Sequence, residues 1–399
     1  MIARCGMMRW WRGIGRTLLC VFILGLINFD AFAQSLCLKE AQDIFNEVFW
    51  SRIKATYYKA NDEDLLSHEA FAQFINRQGL SERHRAALIY YGVATRIRYY
   101  VYKKNNKDKF QDDFLDKPDY TWRNRLGICG DYVRLYRTIA EDCKIPVIEV
   151  DGYDRQSEED TVCWQSARHA WLLVRLNNVW HPVDPTWGAG YCADGVFYER
   201  FDPEWFAPQP EIFITTHIPT SPIFQLLKCP VTVREIQDHK SLDYADLRTE
   251  AGSPCISFTD SIDKYLATLD EYKDVYVARQ GFYYNPLNTE SLGYAFYKRG
   301  LFLYIYHLKN HELDPNLLAI FYRELDYILY LFRSSRDYFS RSQSKDSTEA
   351  IQVIDERINR CIEIQKLLRH HRKDAKWWEW WLINNTEVSI SLSSYLQSE

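Results

Sequence analysis

Apolar positions along this chain repeat in two rhythms: helical at both ends, and strand-like alternation or short apolar runs in the middle. Ile44, Phe45, Val48, Phe49, Ile53 and Tyr57 share one face of a helix that Asn61-Asp62-Glu63-Asp64 ends. After Gly79, Ser81 caps a second helix carrying Ala86, Ile89, Tyr90, Val93, Ile97 and Tyr100. The charged run 103–116 reads as a solvated loop. Cys129 follows a glycine expected to make a turn. It opens a third amphipathic run in which Tyr132, Leu135, Tyr136, Ile139 and Ala140 recur at helical spacing.

Residues 146–153 alternate as a strand, with Ile148 and Val150 set against Glu149 and Asp151. A polar, acidic loop follows over 155–166. The runs 170–176 and 179–183 are then joined by Asn177-Asn178, a pair that tolerates the positive φ of a tight two-residue turn. If Leu176 pairs with Val179, Trp171 falls opposite Asp184 and His169 opposite Thr186. Side chains alternate faces, so His169 and Asp184 become diagonal neighbours on one face, roughly 7–8 Å apart at the backbone. Residues 196–206 and 212–214 are expected as further strands, interrupted by Pro203, Pro208 and Pro210.

Beyond a boundary between Cys229 and Ser253 the pattern turns helical. Ile262, Tyr265, Leu266 and Leu269 mark one helix and residues 294–308 another. Asp314-Pro315 is a start signal for a third, with Leu318, Phe321, Leu325, Ile328, Leu329 and Phe332. After a polar linker at 340–348, Ile351, Ile354, Ile358, Cys361, Gln365 and Leu368 step near a heptad. Gln365 interrupts that seam, which favours a small bundle over a coiled coil. Helix first, sheet next and helices last is an α+β order. The expected divisions are 1–33, 34–235 and 236–399.

Of the 399 residues, 47% are hydrophobic and 26% charged, a globular profile, and a net charge of -5 offers nucleic acid no general attraction. Arg4, Arg9, Arg12 and Arg16 precede an apolar run from Thr17 to Ile27, and Ala31-Phe32-Ala33 supplies a small-x-small pattern before Gln34. Residues 1–33 thus read as a cleaved signal peptide, which implies a secreted or periplasmic protein with no membrane association afterwards. Eight cysteines remain after removal of Cys5 and Cys20: Cys37, Cys129, Cys143, Cys163, Cys192, Cys229, Cys255 and Cys361. Cys163 and Cys192 flank the hairpin and are the first expectation for a disulfide. No C-x-x-C pair supports zinc. The cluster Trp377-Trp378-Glu379-Trp380-Trp381 is read as buried against the preceding helices rather than as a sugar or membrane platform. Asn384-Asn385-Thr386 fits a glycosylation acceptor where the host glycosylates.

Cys129, His169 and Asp184 could form one chemical unit. A thiol in the first turn of a helix faces the positive end of its dipole, which favours the reactive thiolate. A histidine held by a carboxylate is the pairing of a base and its orienter. Singly, each is as readily a core cysteine or a locally satisfied histidine.

The segment around these residues resembles the core of the transglutaminase-like superfamily. The family motifs stand here as Gly127-Ile128-Cys129-Gly130-Asp131-Tyr132, Lys144-Ile145-Pro146, His169-Ala170-Trp171 and Asp184-Pro185-Thr186-Trp187-Gly188. Lys144 departs from the more usual glycine. Glu204-Trp205-Phe206-Ala207, Thr216-His217-Ile218-Pro219 and Gln225-Leu226-Leu227 resemble the kyphoscoliosis-peptidase branch. The resemblance covers about residues 80 to 232. It implies a papain-like transglutaminase core, a Cys-bearing helix packed on an antiparallel sheet, followed by the helical C-terminal domain. It implies a Cys129–His169–Asp184 triad acting through an acyl-thioester: a peptidase-like hydrolase, with protein-glutamine acyl transfer as the other outcome. The substrate would be a protein or peptide, cell-wall or glycan-associated chains included, and no metal or organic cofactor is needed. The alternative is a non-catalytic module on the same fold that binds protein or glycan.

Overall fold

The computed structural model describes residues 46–101, 118–157, 162–238, 241–244, 258–309, 315–342 and 344–371. The signal segment, the charged run 103–116, Cys37, Cys255, the tryptophan cluster and Asn384-Asn385-Thr386 lie outside the described residues. The chain divides into two units at Lys59. In the first, residues 46–57 form helix α1, with Phe49 and Ile53 buried.

The second unit begins with helices α2 (His68–Arg77) and α3 (Glu82–Arg96). Each has a serine cap: Ser67 Oγ accepts from Ala70 N at 3.2 Å, and Ser81 Oγ from His84 N at 3.4 Å. Nine consecutive residues of α3, Ala86 to Ala94, are buried, so this helix runs through the core instead of along one side of it. Strand β1 (Arg98–Tyr99), helix α4 (Pro118–Asn124) and strand β2 (Leu126–Gly127) lead to helix α5 (Cys129–Asp142). The buried residues of α5 include Tyr132, Leu135, Tyr136, Ile139 and Ala140, the stripe its periodicity predicts.

Strands β3 (Val147–Asp154), β4 (His169–Leu176) and β5 (Val179–Val183) follow. Leu176 pairs with Val179 and the register runs on to Leu172 against Val183. Asn177 and Asn178, with φ of 50° and 65°, make the turn. After β6 (Gly190–Ala193), β7 (Val196–Glu199) and the single turn α6 (Pro210–Phe213), strand β8 (His217–Pro219) joins the far edge of the sheet, whose order is β5-β4-β3-β8. Every pairing in it is antiparallel. The arrangement is α+β, with α5 packed on this sheet.

The first of the two later strands holds as β7 but does not continue, and the second takes another form. Residues 203–205 are a 3₁₀ turn and 210–213 a helical turn. Pro203 and Pro210 lack the N–H a strand ladder needs, but their fixed φ suits a helix start. The expected Cys163–Cys192 disulfide is absent, and both are free thiols. The loop bearing Cys163 turns toward Tyr153 and Asn285, because Trp164 packs on Tyr153 and its carbonyl accepts from Asn285. Cys192 lies on the β6–β7 hairpin, which packs through Phe197 onto Tyr99. Cys229 is disulfide-bonded, while the other five described cysteines are free, so its partner lies outside the described residues.

Helices α7 (Val233–Asp238), α8 (Phe258–Ala267), α9 (Asp270–Tyr284), α10 (Thr289–Lys309), α11 (Pro315–Ser340) and α12 (Lys345–His371) complete the chain. The last three share an apolar core that includes Leu308, Phe332, Ile354 and Cys361, as expected of a bundle. Gln365 sits at its edge, donating to Asp326 Oδ1 at 2.8 Å. The earlier helices pack on the sheet: Ile236 and Ile262 belong to the same cluster as Ile148, Val150, Trp171 and Leu173.

Candidate active site

Cys129 is the first residue of α5, where a backbone N–H has no acceptor within the helix. The helix start is fastened by Asp131, whose Oδ2 accepts from Ile128 N at 2.8 Å and whose Oδ1 accepts from Arg134 at 3.0 Å. This explains Gly127 better than a turn does. Gly127 is a strand residue, and a Cβ there would stand 2.8 Å from the Asp131 Cβ. The Cys129 thiol is partly exposed and lies 4.0 Å from the Arg168 carbonyl oxygen.

His169 opens β4 opposite Gly152 of β3. Gly152 has a packing reason, since any Cβ there would collide with the Trp171 ring and the Ile218 carbonyl. Asp184 follows the last residue of β5, and its N–H donates to the Trp205 carbonyl at 3.0 Å. Its carboxylate is wholly buried. Oδ1 accepts from the Thr186 and Trp187 N–H groups at 2.7 and 3.2 Å. Oδ2 meets His169 Nε2 at 2.7 Å. With Nε2 so occupied, Nδ1 is the nitrogen left for the Cys129 thiol, which is close enough to act on the imidazole.

The electrostatics follow from this geometry. Burial disfavours a charged imidazole, yet the Asp184 charge and its hydrogen bond, with Cys129 adding to them, raise the His169 pKa well above its ordinary value. Burial likewise opposes charge on Asp184, but His169 and the histidine hydrogen bonds hold its carboxyl well below the usual range. The buried carboxylate thus favours the protonated form of His169, and His169 the ionised form of Asp184. Cys143 and Cys361 are fully buried, and burial pushes their thiols up, to about 11 and about 12.

All three residues expected from the sequence come together. A fourth was missed. His217 Nε2 also reaches Asp184 Oδ2, at 3.0 Å, from β8. The residues Thr216-His217-Ile218-Pro219 stood out in the sequence only as a likeness, and nothing local in them signals a contact with Asp184. His169, Asp184 and His217 present three ligand-type atoms within 4.8 Å of one another, but each nitrogen is already hydrogen-bonded to the carboxylate. A metal ion there would have to displace both bonds. A second such group, His68 with Glu69 and Asp119, is likewise bonded internally, at 3.4 and 3.1 Å.

Residues 69–185 match the family model of the transglutaminase-like superfamily. These residues are a transglutaminase-like domain. The matched span holds Cys129, His169 and Asp184 and stops short of His217. Kyphoscoliosis peptidase of Mus musculus is 29% identical over 171 residues, covering 41% of this chain and 25% of that protein. The Homo sapiens protein of the same name is 29% identical over 170 residues, with the same coverage. Hillarin of Drosophila melanogaster is 26% identical over 161 residues, covering 36% of this chain and 20% of that protein. The chain thus spans a quarter or less of the length of these relatives. The similarity covers part of this chain and part of each relative, and among the three it is greatest to kyphoscoliosis peptidase.

Proposed function

We propose that the chain is a cysteine-dependent amide-bond enzyme with Cys129 as nucleophile, His169 as acid and base, and Asp184 as the group that orients His169. One observation carries this reading. The contacts run from a partly exposed thiol, through an imidazole 7% exposed, to a carboxylate 0% exposed, so the reactive end alone is open. Cys129 gives its proton to His169 and its sulfur bonds the substrate carbonyl carbon. The Cys129 N–H, which has no acceptor within the helix, is the expected donor to the oxyanion. As the C–N bond breaks, His169 returns the proton to the departing amine, leaving an acyl-thioester. Water, losing a proton to His169, then releases the carboxylic acid and restores the thiol.

Peptidase-like hydrolysis is the favoured second half, because two of the similar proteins carry the name peptidase. Transfer of a glutamine acyl group to an amine would share the first half. The proposed substrates are proteins or peptides met outside the cytoplasm after removal of residues 1–33. The disulfide at Cys229 favours such an oxidising compartment. The binding-module alternative predicts no need for three assembled groups.

The test is iodoacetamide alkylation with peptide mapping across pH, together with incubation of a glutamine-containing protein and a labelled primary amine. Labelled protein would report transfer and new chain termini would report hydrolysis. Neither product, together with an alkylation profile at Cys129 unchanged in His169→Ala, would favour the binding module.

A further inference from the structure

We propose that His217 is a positioning residue of this site: it donates its Nε2–H to the Asp184 oxygen that also orients His169, and so fixes the carboxylate. The inference rests on the reading of Cys129, His169 and Asp184 as a catalytic unit.

An ionised carboxylate only accepts, so both imidazole nitrogens at Oδ2 carry protons. The distances, 2.7 Å to His169 and 3.0 Å to His217, make the two rings joint donors to one atom. They are not equivalent. His217 is 0% exposed, and burial, only partly opposed by Asp184, favours its neutral form. Its other nitrogen, Nδ1, lies 2.8 Å from Thr216 Oγ1. In a neutral ring whose Nε2 carries the proton, Nδ1 must accept, so the Thr216 hydroxyl, which also lies 3.3 Å from the Phe213 carbonyl, turns its one proton to the nearer Nδ1 and fixes the tautomer. The charged groups acting on His217 are Asp184, His169 and Asp154. One buried carboxylate oxygen thus accepts from two imidazoles in different surroundings.

The ring cannot turn away. Phe213 stacks on it at 4.0 Å with a 14° tilt, Trp187 lies at 4.3 Å, and Trp171 and Trp205 close the remaining sides at 5.2 Å. Phe213 would pack as well against a phenyl ring at 217. The aromatic box therefore accounts for a flat side chain but not for a histidine, whereas the Asp184 contact requires the nitrogen. With two backbone N–H groups on Oδ1 and two imidazoles on Oδ2, all four directions of the carboxylate are used, and its plane is set relative to His169.

The experiment compares parent, His217→Phe, His217→Gln and Thr216→Val. Two quantities are read: the titration midpoint of the His169 imidazole by NMR of 15N-histidine-labelled protein, and the rate of Cys129 acylation by p-nitrophenyl acetate. Removing the His217 donor leaves Asp184 more basic toward its remaining partner, so the His169 midpoint rises in His217→Phe. Acylation falls about tenfold, the scale of one lost hydrogen bond to a charged group. His217→Gln, which restores an N–H, recovers most of both. Thr216→Val, which leaves the box intact, shifts the midpoint the same way by less, and decides the matter if His217→Phe does not fold. A midpoint and rate unchanged in folded His217→Phe, or a midpoint unchanged in Thr216→Val, overturns the proposal. Failure of the catalytic reading looks different: no acylation of Cys129 in the parent, and none of the rates sensitive to His169→Ala.

Discussion

Asn288 donates its side-chain amide to the Tyr153 hydroxyl at 2.6 Å, from the turn between α9 and α10 to the strand residue beside Gly152, the register partner of His169. Asn285 donates to the same hydroxyl and to the Trp164 carbonyl, at 2.8 Å each. The late helices thereby hold both β3 and the loop leading to Arg168 and His169. Replacing both asparagines by alanine leaves buried partners unsatisfied and is expected to cost about 1–3 kcal/mol in denaturant unfolding. Cys129 alkylation should change with it, since Arg168 abuts the thiol. An unaltered alkylation rate would mean that the helices support stability alone.

Asp184→Asn keeps the shape but turns one acceptor into an NH₂ group facing two imidazole donors. Acyl transfer is expected to fall by orders of magnitude through a misheld tautomer. Stability should fall by roughly 3–5 kcal/mol, the scale of breaking a buried ion pair. Parallel activity and denaturation measurements check both.

The histidines give opposite pH signatures. The His169 pKa is raised in the fold, so its contribution is fully present below its ordinary value of 6.5 and is lost as pH rises through the folded value. The His217 pKa is lowered, so burying it neutral costs stability as pH falls below 6.5, where the unfolded chain takes up a proton. Asp184, depressed from 3.8, adds stability that is lost only in stronger acid. His217→Gln should therefore flatten the loss of stability just below pH 6.5, while His169→Gln should flatten the alkaline side. Urea midpoints between pH 4 and 9 read the difference.

Thiol labelling should be selective. At pH 7 iodoacetamide is expected to reach Cys129, Cys163 and Cys192 and to spare Cys143 and Cys361, which are wholly buried and shifted upward. Peptide mapping of the native protein tests this, and labelling of Cys361 without denaturant would contradict the packing of the bundle.

Gly188→Ala should damage the site from behind. A Cβ at Gly188 collides with the Tyr90 ring, whose hydroxyl is fixed at 2.6 Å on the Asp202 carbonyl, so the turn from Asp184 to Ala189 must move. The expected cost is about 1–3 kcal/mol, with slower Cys129 acylation. Thermal melts and the acylation rate report it.

What the sequence determined by itself is local. The apolar stripe of α5, the asparagine turn and the two-residue alternation of β4 and β5 place Cys129 at a helix start and His169 and Asp184 on one face, because each depends on neighbours a few residues away. The helical order of the last third was legible for the same reason. Only the tertiary structure decided the rest. Pro203 and Pro210 marked breaks whose outcome, turn instead of strand, depended on what packs around them. Cys163 and Cys192 flank the hairpin in sequence, yet Trp164 and Phe197 draw their segments toward different neighbours. His217 reaches Asp184 from 33 residues away because β8 joins β3 on the edge opposite β4, a pairing chosen by burial of the whole sheet and its helices.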